Sequence, residues 1–225
     1  MMMPVKKGYG RFSRRIAVLI SGRGSNLQSI IDTSARGELD AAVAIVISSR
    51  AEAQGLSRAR AAGIEAMCLR PGDYSSRDDY DRAIVSVLND RDVGIICLAG
   101  FMRRIGAPLL EAFPNRILNI HPSLLPAFQG LDAQRQALEH GVRVSGATVH
   151  LVSSELDAGP IVLQAAVPVL DADTVETLSA RILVEEHRLY PEAIRIVLEG
   201  RWEVRGRRFI PRPDGASTER LQAGS

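Results

Sequence analysis

Apolar residues in the first hundred positions come in short unbroken runs separated by stretches of helical periodicity. Residues 16–20 (Ile-Ala-Val-Leu-Ile) and 43–47 (Val-Ala-Ile-Val-Ile) are continuous and rich in β-branched side chains, and 64–69 and 93–98 read as two more strands. A strand with one face in water alternates polar and apolar side chains, whereas a run without alternation must be covered on both faces. Between the runs, Leu27, Ile30 and Ile31 fall on one helical face closed by Gly37, and residues 55–62 read as a helix ended by Gly63. A third helix is expected over 76–88, after the Pro71-Gly72-Asp73 turn. Strand, helix, strand, helix, strand is the rhythm of the α/β class. The chain is therefore expected to form a Rossmann-like, mostly parallel twisted sheet with helices on both faces.

The rhythm changes in the second half. Residues 117–121 read as a strand and 131–139 as a helix, while 147–152 and 161–169 are β-type runs joined by a turn-rich loop. Such a pair is expected to extend the sheet with antiparallel strands. The longest helical pattern, 174–198, is expected to break near Tyr190-Pro191, because proline cannot continue the hydrogen-bond ladder. Residues 202–210 read as a hairpin around Gly206. At 225 residues, the chain is sized for one domain, expected over 15–210, between a disordered basic extension (1–14) and a disordered polar tail (211–225).

The net charge of +2, with its basic residues gathered at the two ends, argues against a nucleic-acid partner. No stretch approaches the ~18 apolar residues that a membrane span needs. No apolar segment precedes Ile16, so the start does not read as a secretory signal. Cys68 and Cys97 each lie in an apolar run without ligand spacing and read as core residues of a reduced, cytoplasmic protein.

Chemistry concentrates at Asn119-Ile120-His121, where the fifth strand runs into Pro122-Ser123-Leu124-Leu125-Pro126. Strand alternation points residues 119 and 121 the same way. An amide donates to a developing oxyanion, an imidazole moves a proton, and a carboxylate such as Asp157, 36 residues beyond His121, can hold that imidazole. Those are the parts of acyl transfer through a tetrahedral intermediate. Singly, each has a plainer reading, as a turn asparagine, a core histidine and a turn aspartate. His140 and His150 lack ligand spacing, so no metal site is expected.

A second candidate is Ser21-Gly22-Arg23-Gly24-Ser25-Asn26, which links the first strand to a helix N-terminus that favours an anion. A dinucleotide fingerprint would place glycine at Leu27 and an acidic residue where Ser48-Ser49-Arg50 stands. NAD is therefore disfavoured, an NADP-dependent reductase rests on Arg50 alone, and a phosphate monoester fits better. The Gly100-Phe101-Met102-Arg103 turn follows the fourth strand, where open sheets bind ligands. Arg77 opens a helix against the dipole, which points to another task, and Glu186-His187 alone reads as a solvated pair.

SGRGSNLQSII, CLAGFMR, LNIHPSLLPAFQG, ATVHLVSSELDAGPIVLQ and EEHRLYPEAI, in this order and spacing, resemble the phosphoribosylglycinamide formyltransferase family over residues 15–210. The resemblance implies the formyltransferase fold. It also implies transfer of a formyl group from 10-formyltetrahydrofolate to the glycine amine of glycinamide ribonucleotide in purine biosynthesis, without a metal, by a monomer or homodimer. By resemblance, the catalytic residues are Asn119, His121 and Asp157. The nucleotide would meet Gly24, Ser25, Asn26 and Glu186. The folate would meet Arg77, Met102, Arg103, Arg104, Ile105 and Asn119, and the loop of Ser153, Ser154, Glu155, Leu156 and Asp157. On this reading, Asn119 and a protonated His121 stabilise the oxyanion, and Asp157 raises the imidazole pKa by proximity. The chain departs from the family pattern at Arg104, usually aliphatic, and at Gln129-Gly130-Leu131-Asp132-Ala133-Gln134, where Pro-Gly-Leu-His-x-His is common. Formyltetrahydrofolate deformylase, which uses the same donor, is the nearest rival, but is expected to carry a further N-terminal domain. Methionyl-tRNA formyltransferase is expected to carry a C-terminal one. A reductase leaves the catalytic trio unexplained.

Overall fold

In the computed structural model, which describes residues 12–212, strand β1 (Arg15–Ile20) buries its last five side chains completely. Ile16, Val18 and Ile20 join one hydrophobic core, and Ala17 and Leu19 another on the opposite face. An apolar run without alternation has thus become a strand with two covered faces. The first core is closed by helices α1 (Ser25–Ala35) and α2 (Gln54–Ala61), the second by α3 (Arg77–Asn89) and α4 (Ala107–Ala112). Later in the chain, α5 (Ala133–Glu139) and α6 (Val175–Leu198) add Ala137 and a long apolar stripe to the first core.

Strand β1 pairs in parallel with β2 (Ala42–Ser48) on one side and with β4 (Ile95–Leu98) on the other. Strand β3 (Ala66–Cys68) lies outside β2, and β5 (Ile117–His121) outside β4, all parallel. The extension adds β6 (Val144–Leu151) and β7 (Ile161–Pro168), each antiparallel to its predecessor, and the antiparallel hairpin of β8 (Trp202–Arg205) and β9 (Arg208–Pro211). Strand β9 joins β7 in parallel, giving the order β3-β2-β1-β4-β5-β6-β7-β9-β8. After β1 the chain builds outward through β2 and β3, then returns to the other side of β1. The strand order reverses between β1 and β4, and a crevice opens at such a point beyond the carboxyl ends of the strands.

Three expectations change. Helix α6 runs unbroken through Pro191. A proline inside a helix costs about 3 kcal/mol, partly because the carbonyl four residues earlier loses its donor. That carbonyl is His187 O, and the Ser29 hydroxyl of α1 donates to it at 2.7 Å. A neighbouring helix supplies the missing hydrogen bond. Helix α5 begins at Ala133 rather than near 131, because Gly130 (φ 84°) and Asp132 (φ 56°) are left-handed. The short helix α4, with Pro108 in its first turn, was not expected from the sequence pattern. No helix among the described residues is long and apolar enough to cross a membrane. The expected extensions fall mainly on 1–11 and 213–225, outside the described residues. Phe12 lies with its ring 6.4 Å from that of Trp202, and Pro211 ends β9.

Candidate active site

Strand pairing decides which side chains meet. Antiparallel β5 and β6 set Asn119 opposite His150 and His121 opposite Thr148. The loop leaving β6 then folds back over this strand end and carries Asp157, whose backbone is left-handed (φ 48°). The result is a carboxylate between two imidazoles. Asp157 Oδ2 lies 3.5 Å from His121 Nδ1, and Oδ1 lies 3.7 Å from His150 Nε2. All three are secluded, with side chains 9%, 6% and 2% exposed for Asp157, His121 and His150. Oδ2 also accepts from Gly130 N–H at 2.9 Å.

The backbone fixes both rings. His121 Nε2 lies 2.8 Å from the Phe128 carbonyl, which can only accept, so Nε2 carries a proton and Nδ1 faces Asp157. His150 Nδ1 donates to the Leu151 carbonyl (3.1 Å), leaving Nε2 to accept from Asn119 Nδ2 (3.1 Å). Burial pushes the His121 pKa below its usual value. The Phe128 carbonyl and Asp157 act in the opposite direction and do not overcome it. The expected upward pull of Asp157 is therefore present but loses to desolvation, and the resting imidazole is neutral rather than protonated. Burial raises the Asp157 pKa, but the nearby His150 ring, the Gly130 N–H and His121 outweigh it, so the group lies below the usual carboxylate value.

Beside this cluster is a cavity of about 100 Å³, lined by Arg103, Arg104, Ile105, Asn119, His150 and the 153–157 loop, with Leu98, Phe101 and Val152 as apolar wall. Two of the expected folate residues stand apart from it. Met102 is held by its backbone N–H, which donates to Ser21 Oγ (2.9 Å), while its side chain is 58% exposed. Arg77 stands behind the loop, in the first turn of α3, with its Nε 3.5 Å from where a Cβ on Gly106 would sit. The Met102–Ser21 bond ties the loop after β4 to the loop after β1 across the switch point. Tyr190 of α6 adds a second tie there, its hydroxyl within hydrogen-bond distance of the Leu98 (2.9 Å) and Leu118 (3.1 Å) carbonyls.

Across the crevice, α1 starts from Gly24 in a left-handed conformation (φ 74°) with no side chain capping its first amides. Those amides are available to an anion. Asn26 Nδ2 donates to Glu186 Oε2 at 2.8 Å, joining α1 to α6, and Glu186 is 7% exposed. Burial raises the Glu186 pKa, partly opposed by the Asn26 hydrogen bond. Asn26 Oδ1 is buried without a protein partner, so the pair retains acceptor capacity. The sequence-predicted residues thus form two groups. Gly24, Ser25, Asn26 and Glu186 lie at the start of α1; Asn119, His121, Asp157, 103–105 and 153–157 lie at the end of β4 and β5. Sequence reasoning passed over His150, set aside for want of ligand spacing. Its signal was the alternation of 147–152, legible only once β6 is known to lie against β5. Gly130 and the Phe128 carbonyl act through the backbone and left no signal.

Residues 14–194 match the family described as formyl transferase. The chain is 57% identical to glycinamide ribonucleotide transformylase 1 from Symbiobacterium toebii, with a TM-score of 0.88 over 91% of this chain and 96% of that one. It is 44% identical to the phosphoribosylglycinamide formyltransferase of Escherichia coli (strain K12), over 83% of this chain and 88% of the relative. It is also 48% identical to the human trifunctional purine biosynthetic protein adenosine-3. There, the match takes in 83% of this chain but only 18% of the human protein's length.

Proposed function

The chain belongs to the formyl transferase family, and on that premise we propose that it moves the formyl group of 10-formyltetrahydrofolate to the glycine amine of glycinamide ribonucleotide. The products are tetrahydrofolate and the formylated ribonucleotide, in de novo purine (IMP) biosynthesis. The observation that carries the reading is the Asp157 carboxylate held between His121 and His150, beside Asn119, at the junction of two separate binding surfaces. One surface presents helix amides and a buried Asn26–Glu186 pair, suited to a phosphate and ribose hydroxyls. The other is a partly apolar cavity with two arginines, suited to a flat ring and a carboxylate-bearing tail.

The chemistry follows from protonation states. The amine nitrogen attacks the formyl carbon, and the formyl oxygen becomes an oxyanion. Asn119 Nδ2, which gives one hydrogen to His150, donates its other to that oxygen; losing such a donor typically costs ~3–4 kcal/mol of transition-state stabilisation. The resting His121 offers an unprotonated Nδ1 to the proton leaving the amine, and Asp157 stabilises the imidazolium that forms. His150 holds Asn119 in place through Nε2, and the Gly130 N–H holds the Asp157 carboxylate. When the bond between the formyl carbon and N10 breaks, the proton passes to N10, so no net proton is gained or lost. The free cysteines, Cys68 half-buried and Cys97 buried, favour the cytoplasm as the place of action.

The test mixes the protein with 10-formyltetrahydrofolate, with and without glycinamide ribonucleotide, and follows both tetrahydrofolate and the formylated nucleotide. One formylated nucleotide should appear for each folate consumed. Folate turnover at an undiminished rate without the nucleotide would overturn the transferase reading in favour of a hydrolase.

A further inference from the structure

Asp157 works from a left-handed backbone that residues with a Cβ seldom adopt, on a loop that lines the cavity rather than the core. One segment reaches it from three directions. Gly130 N–H donates to its carboxylate at 2.9 Å. The Gln129 side-chain amide donates to the Asp157 carbonyl at 3.2 Å and to the Leu156 carbonyl at 3.3 Å. The segment is in turn held by α5, where Gln136 Nε2 donates to the carbonyls of Leu131 (2.8 Å) and Gln129 (3.3 Å).

We infer that Gln129 is a positioning residue for formyl transfer: its amide straps the backbone of residues 156–157 so that the Asp157 carboxylate stays between His121 and His150. The inference rests on the proposed reaction for the step it serves. A carboxamide suits the task, because one nitrogen carries two donors and the two targets are successive carbonyls. Gly130 cannot take over, since its N–H is already committed to the carboxylate and no other donor from this segment reaches the loop backbone. Gln129 is exposed, so its loss leaves both cores intact.

The test compares Gln129→Ala and Gln129→Glu with the wild type in kcat, in KM for each substrate and in melting temperature. Glutamate keeps the shape but cannot donate when ionised, and it sets a negative charge against two carbonyl oxygens. Small displacements of reacting groups cost up to about a hundredfold in rate, so kcat should fall about tenfold for alanine and more for glutamate. KM for 10-formyltetrahydrofolate should rise, because the strapped loop lines its cavity, whereas KM for the ribonucleotide and the melting temperature should hold. Variants within twofold of an active wild type would overturn the strap, as would equal rises in both KM values with a lowered melting temperature. A wild type that forms no formylated nucleotide would instead strike the proposed reaction.

Discussion

The two halves of the crevice are held in opposite ways. At the start of α1, backbone packs on backbone. A Cβ on Gly24 would sit 2.7 Å from Gly55 Cα, and one on Gly55 would sit 2.4 Å from Ile20 Cδ1. At the end of β5, position is set by side chains reaching across loops, from Gln129, Asp157 and the two histidines. Three of the five left-handed residues other than glycine in the described chain, Phe128, Asp132 and Asp157, lie on this second side. Holding an anion asks for fixed amides and no rotamers, which close-packed glycines provide. Moving a proton asks for titratable side chains at set distances, and strained conformers appear where those distances are enforced.

Breaking the second half should cost most. Asp157→Ala and His121→Ala each remove a member of the proposed proton-handling pair, and kcat should drop about a thousandfold or more. Ribonucleotide binding, measured by calorimetry, should survive, because the residues proposed for it lie across the switch point. Near-normal turnover by either variant would contradict the assigned roles. Gly24→Ala attacks the first half. It forces a Cβ into a left-handed site against Gly55, so KM for the ribonucleotide should rise about tenfold or more, with a stability loss of about 1–2 kcal/mol. The kcat at saturation should change little; a kcat loss larger than the KM rise would erase the division of labour.

The same contrast explains what the sequence revealed. The loop of the first half was legible because its parts are contiguous, a strand end, two glycines and a helix start within Ile20–Asn26, whereas Glu186, which alone read as solvated, is buried against Asn26 by the contact of α6 with α1. The parallel core was legible for a similar reason, since runs such as 16–20 carry their two-sided burial in composition. The second half depends on register. Nothing local places His150 opposite Asn119; the antiparallel pairing of β5 and β6 does. Asp157 looked like a turn residue, and its geometry is one, yet Gly130 and Gln129 turn it toward the imidazoles. The uninterrupted α6 was illegible because its rescue comes from Ser29, 158 residues earlier than the carbonyl it serves.

Protonation sharpens the contrast without any substitution. Burial lowers the His121 pKa from 6.5, against the Phe128 carbonyl and Asp157 and with His150 adding to the lowering. The neutral ring that accepts the amine's proton is therefore fully present above pH 6.5 and is lost as pH falls through the depressed folded value. Below that value, kcat/KM should fall about tenfold or more per pH unit, as the free enzyme's imidazole and the substrate amine both take up protons. Folding stability follows the same sign. The unfolded imidazole takes up its proton near 6.5 while the folded one does not, so the contribution is complete above 6.5 and is lost as pH falls through the folded value. A His121 imidazole that titrates above 6.5 in the NMR spectrum of the free protein would show that Asp157 prevails over burial after all.

The smallest effect is expected from Ser29→Ala, on the close-packed side. The Ser29 hydroxyl is the donor that replaces the one Pro191 removes, so alanine leaves the His187 carbonyl without that bond inside the α1–α6 contact. Leaving a buried acceptor unpaired costs about 1–3 kcal/mol, and the substitution should lower the urea midpoint accordingly. Asn26 lies one turn before Ser29 on α1 and Glu186 directly before His187 on α6, and the two are joined by their own hydrogen bond. If this half is rigid through backbone packing, KM for the ribonucleotide should stay within about twofold despite the stability loss. A larger rise would mean that the nucleotide side, too, is tuned by single side-chain bonds, and the difference between the two halves would narrow to one of chemistry alone.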